Sequence, residues 1–271
     1  MIFYYDLETT GLEIETARIL QIAILDESGK YNIDRYVNPG INILITNSNI
    51  HNINHEILKK ENAKDFGETF MDILEFLNRI AKNENIILVS HNNFRYDKRI
   101  LERECERFNK EMPENWLFGD TIVLYREYYP NLRNGYSLGV LYKEITGLNI
   151  KNAHNAISDV NALKLVFEKI WKKIKNIEKF KEKCLLGNKY EKLENIKVEY
   201  MSGVGKVTKD KLNKKGIYTV RDFINRIEYN NYDNFKKDCQ NKLNIIYYGG
   251  NYEKTIEIIY NDLKYYKEKY N

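Results

Sequence analysis

Four acidic residues occupy positions where the surrounding sequence predicts apolar side chains. Asp6 and Glu8 lie two positions apart in the strand-like segment 2–8, so both carboxylates project from one face of a sheet. Asp97 and Asp159 each fall on the apolar stripe of a predicted helix. Unpaired buried carboxylates would cost several kcal/mol or take up protons, so the four residues need cationic partners. A cluster of hard oxygen ligands favours divalent metal ions.

Basic side chains are the alternative partners for these carboxylates. The nearest candidates in the sequence, Lys98, Arg99 and Lys164, lie off the apolar stripes. Either Asp97 or Asp159, taken alone, would be interpreted as a helix cap or a solvated side chain. The joint pattern of four carboxylates favours a metal site.

A histidine accompanies the last of the four acids. His154 precedes Asp159 by five residues, just before a predicted helix begins. An imidazole titrates near neutral pH, so His154 can take a proton from a water molecule at such a site. A lone loop histidine usually has no such role, and this interpretation therefore depends on Asp159. The neighbouring Asn155 and Ser158 are interpreted as helix-entry residues.

The elements that must position these residues alternate between strands and helices. The hydrophobic patterns predict strands over 2–8, 18–26, 31–37 and 86–89 and helices over 66–80, 95–108, 121–128, 137–146 and 156–174. This order predicts an α/β fold with a mixed sheet flanked by helices. Residues 176–195 are charged and aperiodic, which indicates a connecting region, and residues 196–271 are predicted to form a smaller helical domain.

Composition excludes several classes of protein. The chain has 271 residues, of which 43% are hydrophobic and 30% charged, and its apolar runs fall far short of the roughly 20 residues of a membrane span. Three scattered cysteines support neither a disulfide framework nor a cysteine-based zinc site. The first segment already reads as a strand, so no targeting peptide is expected. We therefore expect an intracellular protein that does not interact with membranes.

The net charge of +4 is unevenly distributed. Residues 1–175 carry 23 Lys and Arg against 25 Asp and Glu, whereas residues 176–271 carry 20 against 14. A tail with a net charge of +6 favours nucleic acid or an acidic protein as partner, although such an excess can equally be a solvated surface.

Three motifs occur in order along the chain, at residues 6–11 (Asp-Leu-Glu-Thr-Thr-Gly), at residues 90–97 (Ser-His-Asn-Asn-Phe-Arg-Tyr-Asp), and at His154 followed by Asp159. In order and spacing they resemble the motifs of the DEDDh (DnaQ-like) 3′→5′ exonuclease family. The six positions from His91 to Asp97 resemble the TREX-like branch more than the bacterial proofreading subunits. Lesser matches occur at residues 50–53, 120–121 and 136–138. The resemblance covers residues 1–175 and implies an RNase H-like fold for that domain.

This resemblance also implies roles for the acidic residues. Asp6, Glu8 and Asp159 correspond to ligands of one divalent metal ion, Mg²⁺ or Mn²⁺, with Asp6 shared by a second ion and Asp97 helping to hold the pair. His154 corresponds to the general base. The family reaction is removal of nucleoside 5′-monophosphates from a 3′ end.

Residues after the first motif correspond to family residues that contact the terminal nucleotide. They are Thr9, Gly11 and Leu12, the last as an apolar platform for the base. A plain turn is an equally good interpretation of Gly11.

The tail resembles a helix-hairpin-helix module over residues 199–223. In such modules the backbone N–H groups of the hairpin bind a phosphate, which implies that Gly203, Gly205 and Lys206 contact nucleic acid. Lys209 departs from the pattern, since a small residue usually packs between the helices there. The alternative is a small helical domain that binds a protein or nothing.

These patterns together predict a metal-dependent 3′→5′ exonuclease, with DNA favoured as substrate because of the tail. One alternative is an exoribonuclease of the same family, because the motifs do not separate the two sugars. The other is a proofreading or tethering subunit whose tail docks a protein partner.

Overall fold

The computed structural model describes residues 1–40, 42–46, 48–82, 84–187, 193, 196–227, 231–245 and 252–270. The chain divides into two compact units, residues 1–188 and residues 189–271. Among the helices of the described residues, none combines the length and apolar character that a membrane crossing requires.

The first unit is a mixed sheet flanked by helices, as the sequence predicts. Its strands are β1 (Ile2–Thr9), β2 (Ile19–Asp26), β3 (Asn32–Tyr36), β4 (Ile86–Ser90), β5 (Trp116–Asp120) and β6 (Leu185–Leu186). Its helices are α1 (Ser48–His51), α2 (His55–Lys60), α3 (Phe66–Ala81), α4 (Asp97–Arg107), α5 (Thr121–Tyr128), α6 (Leu138–Thr146), α7 (Ala156–Ile174) and α8 (Ile177–Lys181). Within the described residues the strand order is β3-β2-β1-β4-β5-β6.

The strand β1 lies near the centre of this sheet. It runs antiparallel to β2 and parallel to β4, and β4 runs parallel to β5. Nearly all residues of β1 and β2 are buried, because helices cover the sheet. The pairing of Glu8 with Gln21 is followed by a register shift between Glu8 and Thr9. Such an irregularity re-aims side chains at the end of a strand, which is where the acidic residues lie.

The helix α7 packs its apolar stripe against the sheet. Leu163, Val166, Phe167 and Ile170 are buried in one cluster with Tyr4 of β1. Each such side chain contributes roughly 1.5–3 kcal/mol when it is fully buried. This packing fixes the direction of α7 and hence the position of its first turn, which carries Asp159.

The strand β5 and the elements α8 and β6 are not evident from the sequence. The ring of Phe180 in α8 lies so close to Gly119 of β5 that a Cβ there would approach it to 2.7 Å. This contact requires a glycine at position 119. Because the glycine interrupts the apolar run of β5, the sequence shows no clear strand pattern there. The sequence predicts a connecting region from residue 176, whereas the structure forms α8 and β6 there as parts of the first unit. The charged surface of α8 conceals its one buried residue, Phe180.

The second unit is helical in its described residues. It contains a short 3₁₀ helix (Val198–Tyr200), α9 (Lys206–Lys214), α10 (Val220–Arg226), α11 (Tyr232–Asn241) and α12 (Tyr252–Tyr270). Leu212, Phe223, Phe235 and Ile259 are among its buried core residues. The predicted helical domain is thus present. Part of the predicted domain, including residues 228–230 and 246–251, lies outside the described residues.

Candidate active site

Three carboxylates meet at one end of the sheet. Asp6 and Glu8 project from β1, and Asp159 projects from the first turn of α7. One ligand oxygen from each lies within 4.8 Å of the others. Glu8 and Asp159 are buried, and Asp6 is partly buried. The predicted face of β1 and the predicted stripe of α7 therefore bring these residues together.

The fourth carboxylate, Asp97, lies beside this cluster. It is the first residue of α4 and is buried. Because β4 runs parallel to β1, the chain leaves β4 at the same edge of the sheet and enters α4 there. The backbone N–H of Leu7, between Asp6 and Glu8, donates a hydrogen bond to the Asp97 carboxylate. Asp97 thus contacts the strand that carries the first two acids.

The four carboxyl groups hold protons more tightly than in water. Burial raises the pKa of Glu8 to about 8, and the charges of Asp159 and Asp97 add to the shift. Burial also raises the pKa of Asp97 to about 7, against hydrogen bonds that lower it. The pKa of Asp6 is raised well above its ordinary value by burial and by the other three carboxylates. A site with this much uncompensated negative charge favours a bound cation.

The carboxylate of Asp159 also orders the loop before α7. Its Oδ2 accepts a hydrogen bond of 2.8 Å from the backbone N–H of His154. Burial raises the pKa of Asp159, and this hydrogen bond opposes the shift. His154 has a φ of 64° and is exposed to solvent. The hydrogen bond ties the backbone of His154 to a member of the cluster and so places His154 at its rim.

Gln21 is a positioning residue that the sequence patterns did not single out. It pairs with Glu8 across β1 and β2 and is buried. Its Oε1 accepts a hydrogen bond of 3.4 Å from the backbone N–H of Ala156, and its Nε2 donates to Asp34 at 2.8 Å. The amide therefore links the Glu8 strand to the start of α7. In the sequence, the feature that could have identified Gln21 is its position as a polar residue within the apolar run of β2.

Behind Asp97, a buried polar network holds the loop between β4 and α4. Asn93 accepts a hydrogen bond from the hydroxyl of Tyr5 and donates to the carbonyls of Leu88 and Gly119. Asp120 accepts from the backbone N–H of Phe94 at 3.1 Å. The polar side chain of Asn93, in the second motif, thus satisfies backbone groups that are buried beside it.

The residues that follow the first motif form an exposed edge of the site. Thr9 is buried, and Leu12 is 76% exposed. A Cβ on Gly11 would lie 3.1 Å from the hydroxyl oxygen of Thr46. The Thr46 hydroxyl itself donates to the carbonyl of Thr10 at 2.7 Å. Close approach of a neighbouring loop therefore accounts for the glycine at position 11.

A second histidine lies at this edge. His51 is buried, and its Nδ1 accepts a hydrogen bond of 3.1 Å from the backbone N–H of Ile53. Burial lowers the pKa of His51, the backbone of Thr9 opposes the shift, and the charge of His154 adds to it. His51 therefore lies near enough to His154 for a charge on His154 to oppose protonation of His51.

Of the two hairpin glycines of the second unit, Gly203 is explained by packing within that unit. Gly203 has a φ of 76°, and a Cβ there would approach Ile259 of α12 to 2.7 Å. The backbone N–H of Ser202 donates to Asp262 of α12 at 2.8 Å. Gly205 precedes α9, and a Cβ there would meet open space. The binding roles of Gly203, Gly205 and Lys206 remain predictions.

Lys209 occupies a position where the helix-hairpin-helix pattern has a small residue. Its Nζ forms an ion pair with Glu199, and its side chain is 39% exposed. The buried residues of α9 are instead Thr208 and Leu212. The lysine is therefore accommodated at the surface of the hairpin without entering the space between the helices.

The sequence of this chain is similar to those of known exonucleases. Residues 3–167 match the model of the Exonuclease family, RNase_T. Exonuclease DPD1, chloroplastic/mitochondrial, of Arabidopsis thaliana is 34% identical over 172 residues, which are 61% of this chain and 54% of that protein. The chain thus spans about half the length of this relative. Human three prime repair exonuclease 2 is 28% identical over 192 residues, which are 60% of this chain and 80% of that protein.

Solved structures share the fold of the first unit. The nuclease domain of 3′hExo, a DEDDh family member bound to rAMP, superposes with a TM-score of 0.54 at 15% identity, covering 64% of this chain and 92% of that one. E. coli exonuclease I in complex with a dT13 oligonucleotide gives 0.55 at 17% identity, covering 66% of this chain and 42% of that one. The predicted RNase H-like fold is confirmed.

Proposed function

The chain belongs to the Exonuclease (RNase_T) family, and on that premise we propose that it is a metal-dependent 3′→5′ exonuclease of the DEDDh type that releases nucleoside 5′-monophosphates from DNA. The observation that carries the proposal is the carboxylate cluster of Asp6, Glu8 and Asp159, with ligand oxygens within 4.8 Å of one another. Asp97 lies against the strand that bears the first two.

The donor set of this cluster fits divalent cations. It consists of carboxylate oxygens, which Mg²⁺ and Mn²⁺ prefer. Burial raises the pKa of each group, and the neighbouring carboxylates add to the shift at Asp6 and Glu8. Asp6, Glu8 and Asp159 would hold one ion, with Asp6 and Asp97 holding a second. When bound, two such ions supply stabilisation of the charge that develops on both sides of the reacting phosphorus.

His154 supplies the proton acceptor of the proposed reaction. A water molecule attacks the terminal phosphodiester, the 3′-oxygen of the preceding nucleotide leaves, and the water must lose a proton as the new bond forms. His154 stands at the rim of the cluster, held through its backbone by Asp159 and exposed to solvent. In this position the imidazole can accept the proton and return it to bulk water.

The residues after β1 receive the terminal nucleotide in this proposal. Leu12, at 76% exposure, offers an apolar surface to the last base, and Thr9 and Gly11 lie between it and Glu8. An exposed leucine at the edge of a polar site is suited to stacking against a base, which has an apolar face.

DNA is the proposed substrate because of the second unit. The hairpin at Gly203 to Gly205 precedes α9, whose first residue is Lys206, and backbone N–H groups at a helix N-terminus can bind a phosphate without reading sequence. The net charge of +6 on residues 176–271 supports a polyanionic ligand. RNA is the alternative substrate, since the carboxylate cluster itself does not distinguish the two sugars.

The proposal is tested by degradation of matched DNA and RNA strands carrying a label at the 5′ or the 3′ end. With Mg²⁺ or Mn²⁺, 5′-labelled DNA should yield a ladder of shortening fragments, and 3′-labelled DNA should release labelled mononucleotide at once. The Asp6→Asn protein is the control for contaminating nuclease. Immediate release of mononucleotide from the 5′ end would reverse the proposed direction, and faster degradation of RNA would reassign the substrate.

A further inference from the structure

The 9–18 segment, which follows β1, is fastened to α4 at its inner end by Tyr96. The Tyr96 hydroxyl donates a hydrogen bond of 2.7 Å to the carbonyl of Gly11 and lies 2.6 Å from the hydroxyl oxygen of Thr9. Because Tyr96 gives its proton to this carbonyl, the Thr9 hydroxyl donates its own proton to the Tyr96 oxygen and lies 2.9 Å from the carbonyl of Gly11. Tyr96 immediately precedes Asp97, the first residue of α4. One phenolic oxygen therefore connects the first and second motifs.

The outer end of the same segment is fastened to the last turn of α4. The Arg107 guanidinium donates to the carbonyls of Glu15 at 2.6 Å and Ala17 at 2.7 Å. Two ion pairs add to these hydrogen bonds. They join Arg103 to Glu15 at 2.6 Å and Arg18 to Glu104 at 2.5 Å.

Glu104 makes this outer attachment specific. Its side chain is 1% exposed and accepts from both Arg18 and Arg107. A buried carboxylate shared by two guanidinium groups fixes their orientation, because each alternative position leaves a charge unpaired. The segment is thus held at both ends by a single helix. The two attachments are separated by about 10 residues, or about 15 Å, along the axis of α4.

Between these attachments the tip of the segment is exposed. Leu12 is 76% exposed, and Glu13 and Glu15 are exposed. At its base, the carbonyl of Thr10 also accepts hydrogen bonds from the backbone N–H and the hydroxyl of Thr46, at 2.9 and 2.7 Å. The contacts with α4 therefore act together with this loop to set the position of Leu12. Such prior fixing reduces the conformational entropy that a binding loop loses when its ligand arrives.

We propose that Tyr96 is a positioning residue that holds the 9–18 segment in the arrangement that receives the terminal nucleotide. It acts through Thr9 and Gly11 without touching the reacting atoms. Because α4 also begins with Asp97, one helix sets both the carboxylate cluster and the nucleotide-receiving edge. This inference rests on the proposed exonuclease function.

The test is the Tyr96→Phe substitution in the full-length protein, which removes the hydroxyl and keeps the ring. KM for a single-stranded DNA oligonucleotide should rise about three- to tenfold, the size expected for one lost hydrogen bond, while kcat changes less than about twofold. Mn²⁺ affinity, measured by calorimetry, should not change. Amide hydrogen exchange in residues 9–18 should become faster in the absence of substrate.

Two further variants sharpen the test. Arg107→Gln loosens the outer end and should also raise KM, and its combination with Tyr96→Phe should raise KM by less than the product of the single effects, because both attach the same segment. Tyr128→Phe, on α5, and Arg79→Gln, on the exposed face of α3, are matched controls that should change neither KM nor exchange.

The measurements separate failure of this inference from failure of the proposed function. Unchanged exchange in residues 9–18, or a fall in kcat with unchanged KM, would overturn the positioning role of Tyr96. A wild-type protein that degrades no nucleic acid would reject the exonuclease proposal instead. In that case unchanged exchange would still overturn the attachment of the segment, and faster exchange would support it.

Discussion

The carboxylate cluster of the first unit and the glycine hairpin of the second differ in how much of each the fold itself explains. Asp6, Glu8 and Asp159 are brought together against their mutual repulsion, and burial raises the pKa of every member. At the hairpin, the left-handed backbone and the close contact with Ile259 account for Gly203. The ion pair with Glu199 likewise accommodates Lys209.

This difference shows which residues carry functional information. A side chain that stabilises the fold is expected whether or not a ligand binds, so Gly203 alone says little about phosphate. Four clustered acids destabilise the fold unless a cation is present, so their retention needs a reason beyond folding. The inference of function is therefore strongest for residues, such as the four acids, whose burial the fold alone does not stabilise.

The largest expected effect comes from removing one acid of the cluster. Asp6→Asn, Glu8→Gln, Asp97→Asn and Asp159→Asn should each lower kcat at least about a thousandfold, since two-ion stabilisation of the reacting phosphate depends on all four. Each variant should remain folded, and the metal-free protein should melt at a higher temperature than the wild type because repulsion is relieved. Degradation rates and circular dichroism measure the two results.

A surface acid provides the matched control for these variants. Asp72 pairs with Lys64 at 3.2 Å on the outside of the first unit, so Asp72→Asn should keep the wild-type rate. Retention of the wild-type rate by any of the four cluster variants would remove that residue from the proposed site and weaken the contrast with the hairpin.

His154→Ala should produce the next largest effect. Loss of a general base typically lowers the rate about 10²–10⁴-fold, while the carboxylates still bind cations. We expect kcat to fall with Mn²⁺ affinity unchanged, and the acid limb of the pH–rate profile to shift relative to the wild type. His55→Ala, on α2, is the control. An acid limb identical to that of the wild type would exclude His154 as the base.

The raised pKa values predict how pH affects the metal-free protein. The pKa of Glu8 rises from 4.5 to about 8 on folding, so the folded state keeps a proton that the unfolded state loses. This contribution to stability is complete below pH 4.5 and is lost as the pH rises towards 8. The melting temperature of Glu8→Gln relative to wild type should therefore increase over this range, by about 2–4 °C for each kcal/mol.

Saturating Mg²⁺ or Mn²⁺ should abolish that pH dependence, because bound cations favour the ionised carboxylates. Thermal denaturation with and without the ion, at several pH values, checks both expectations. A difference between Glu8→Gln and wild type that is independent of pH in the metal-free protein would contradict the burial of Glu8 in an acidic cluster.

Most of the first unit could be predicted because its elements are long and strongly patterned. The apolar stripe of α7 and the buried face of β1 could each be read without knowledge of the other element, so the faces that carry Asp6, Glu8 and Asp159 followed from periodicity. The strand β5 could not be predicted, because Gly119 is set by the contact with Phe180 about 60 residues later. Such a contact depends on the packed structure.

Residues that position the site were harder to find than those that compose it. Gln21, Tyr96 and Glu104 act on backbone groups and on charges that are distant in sequence. Nothing in their spacing indicates a shared role, since the segments they connect are joined only when the sheet forms. The one general sequence feature that indicates such positioning residues is a polar side chain within a run of residues expected to be buried.

The smallest expected effect concerns the hairpin, and it decides whether the second unit has a function of its own. If Lys206 contacts a phosphate, Lys206→Glu should weaken binding to a duplex with a 3′ overhang and reduce the salt dependence of affinity by about 0.7–0.9 in log–log slope. Lys206→Glu with Lys211→Glu should reduce it further. Fluorescence anisotropy in Ca²⁺, which is expected to block turnover, measures the slopes.

The control lies on the same helix. Lys214→Glu makes the same charge change in the last turn of α9, about 12 Å from Lys206, so it should leave the slope nearly unchanged if binding is local to the hairpin. Equal losses at both ends would indicate a diffuse electrostatic effect of the net charge of +6. No loss at either end would reject the phosphate site and favour docking of a protein partner. In that case Gly203 would serve packing against α12 alone.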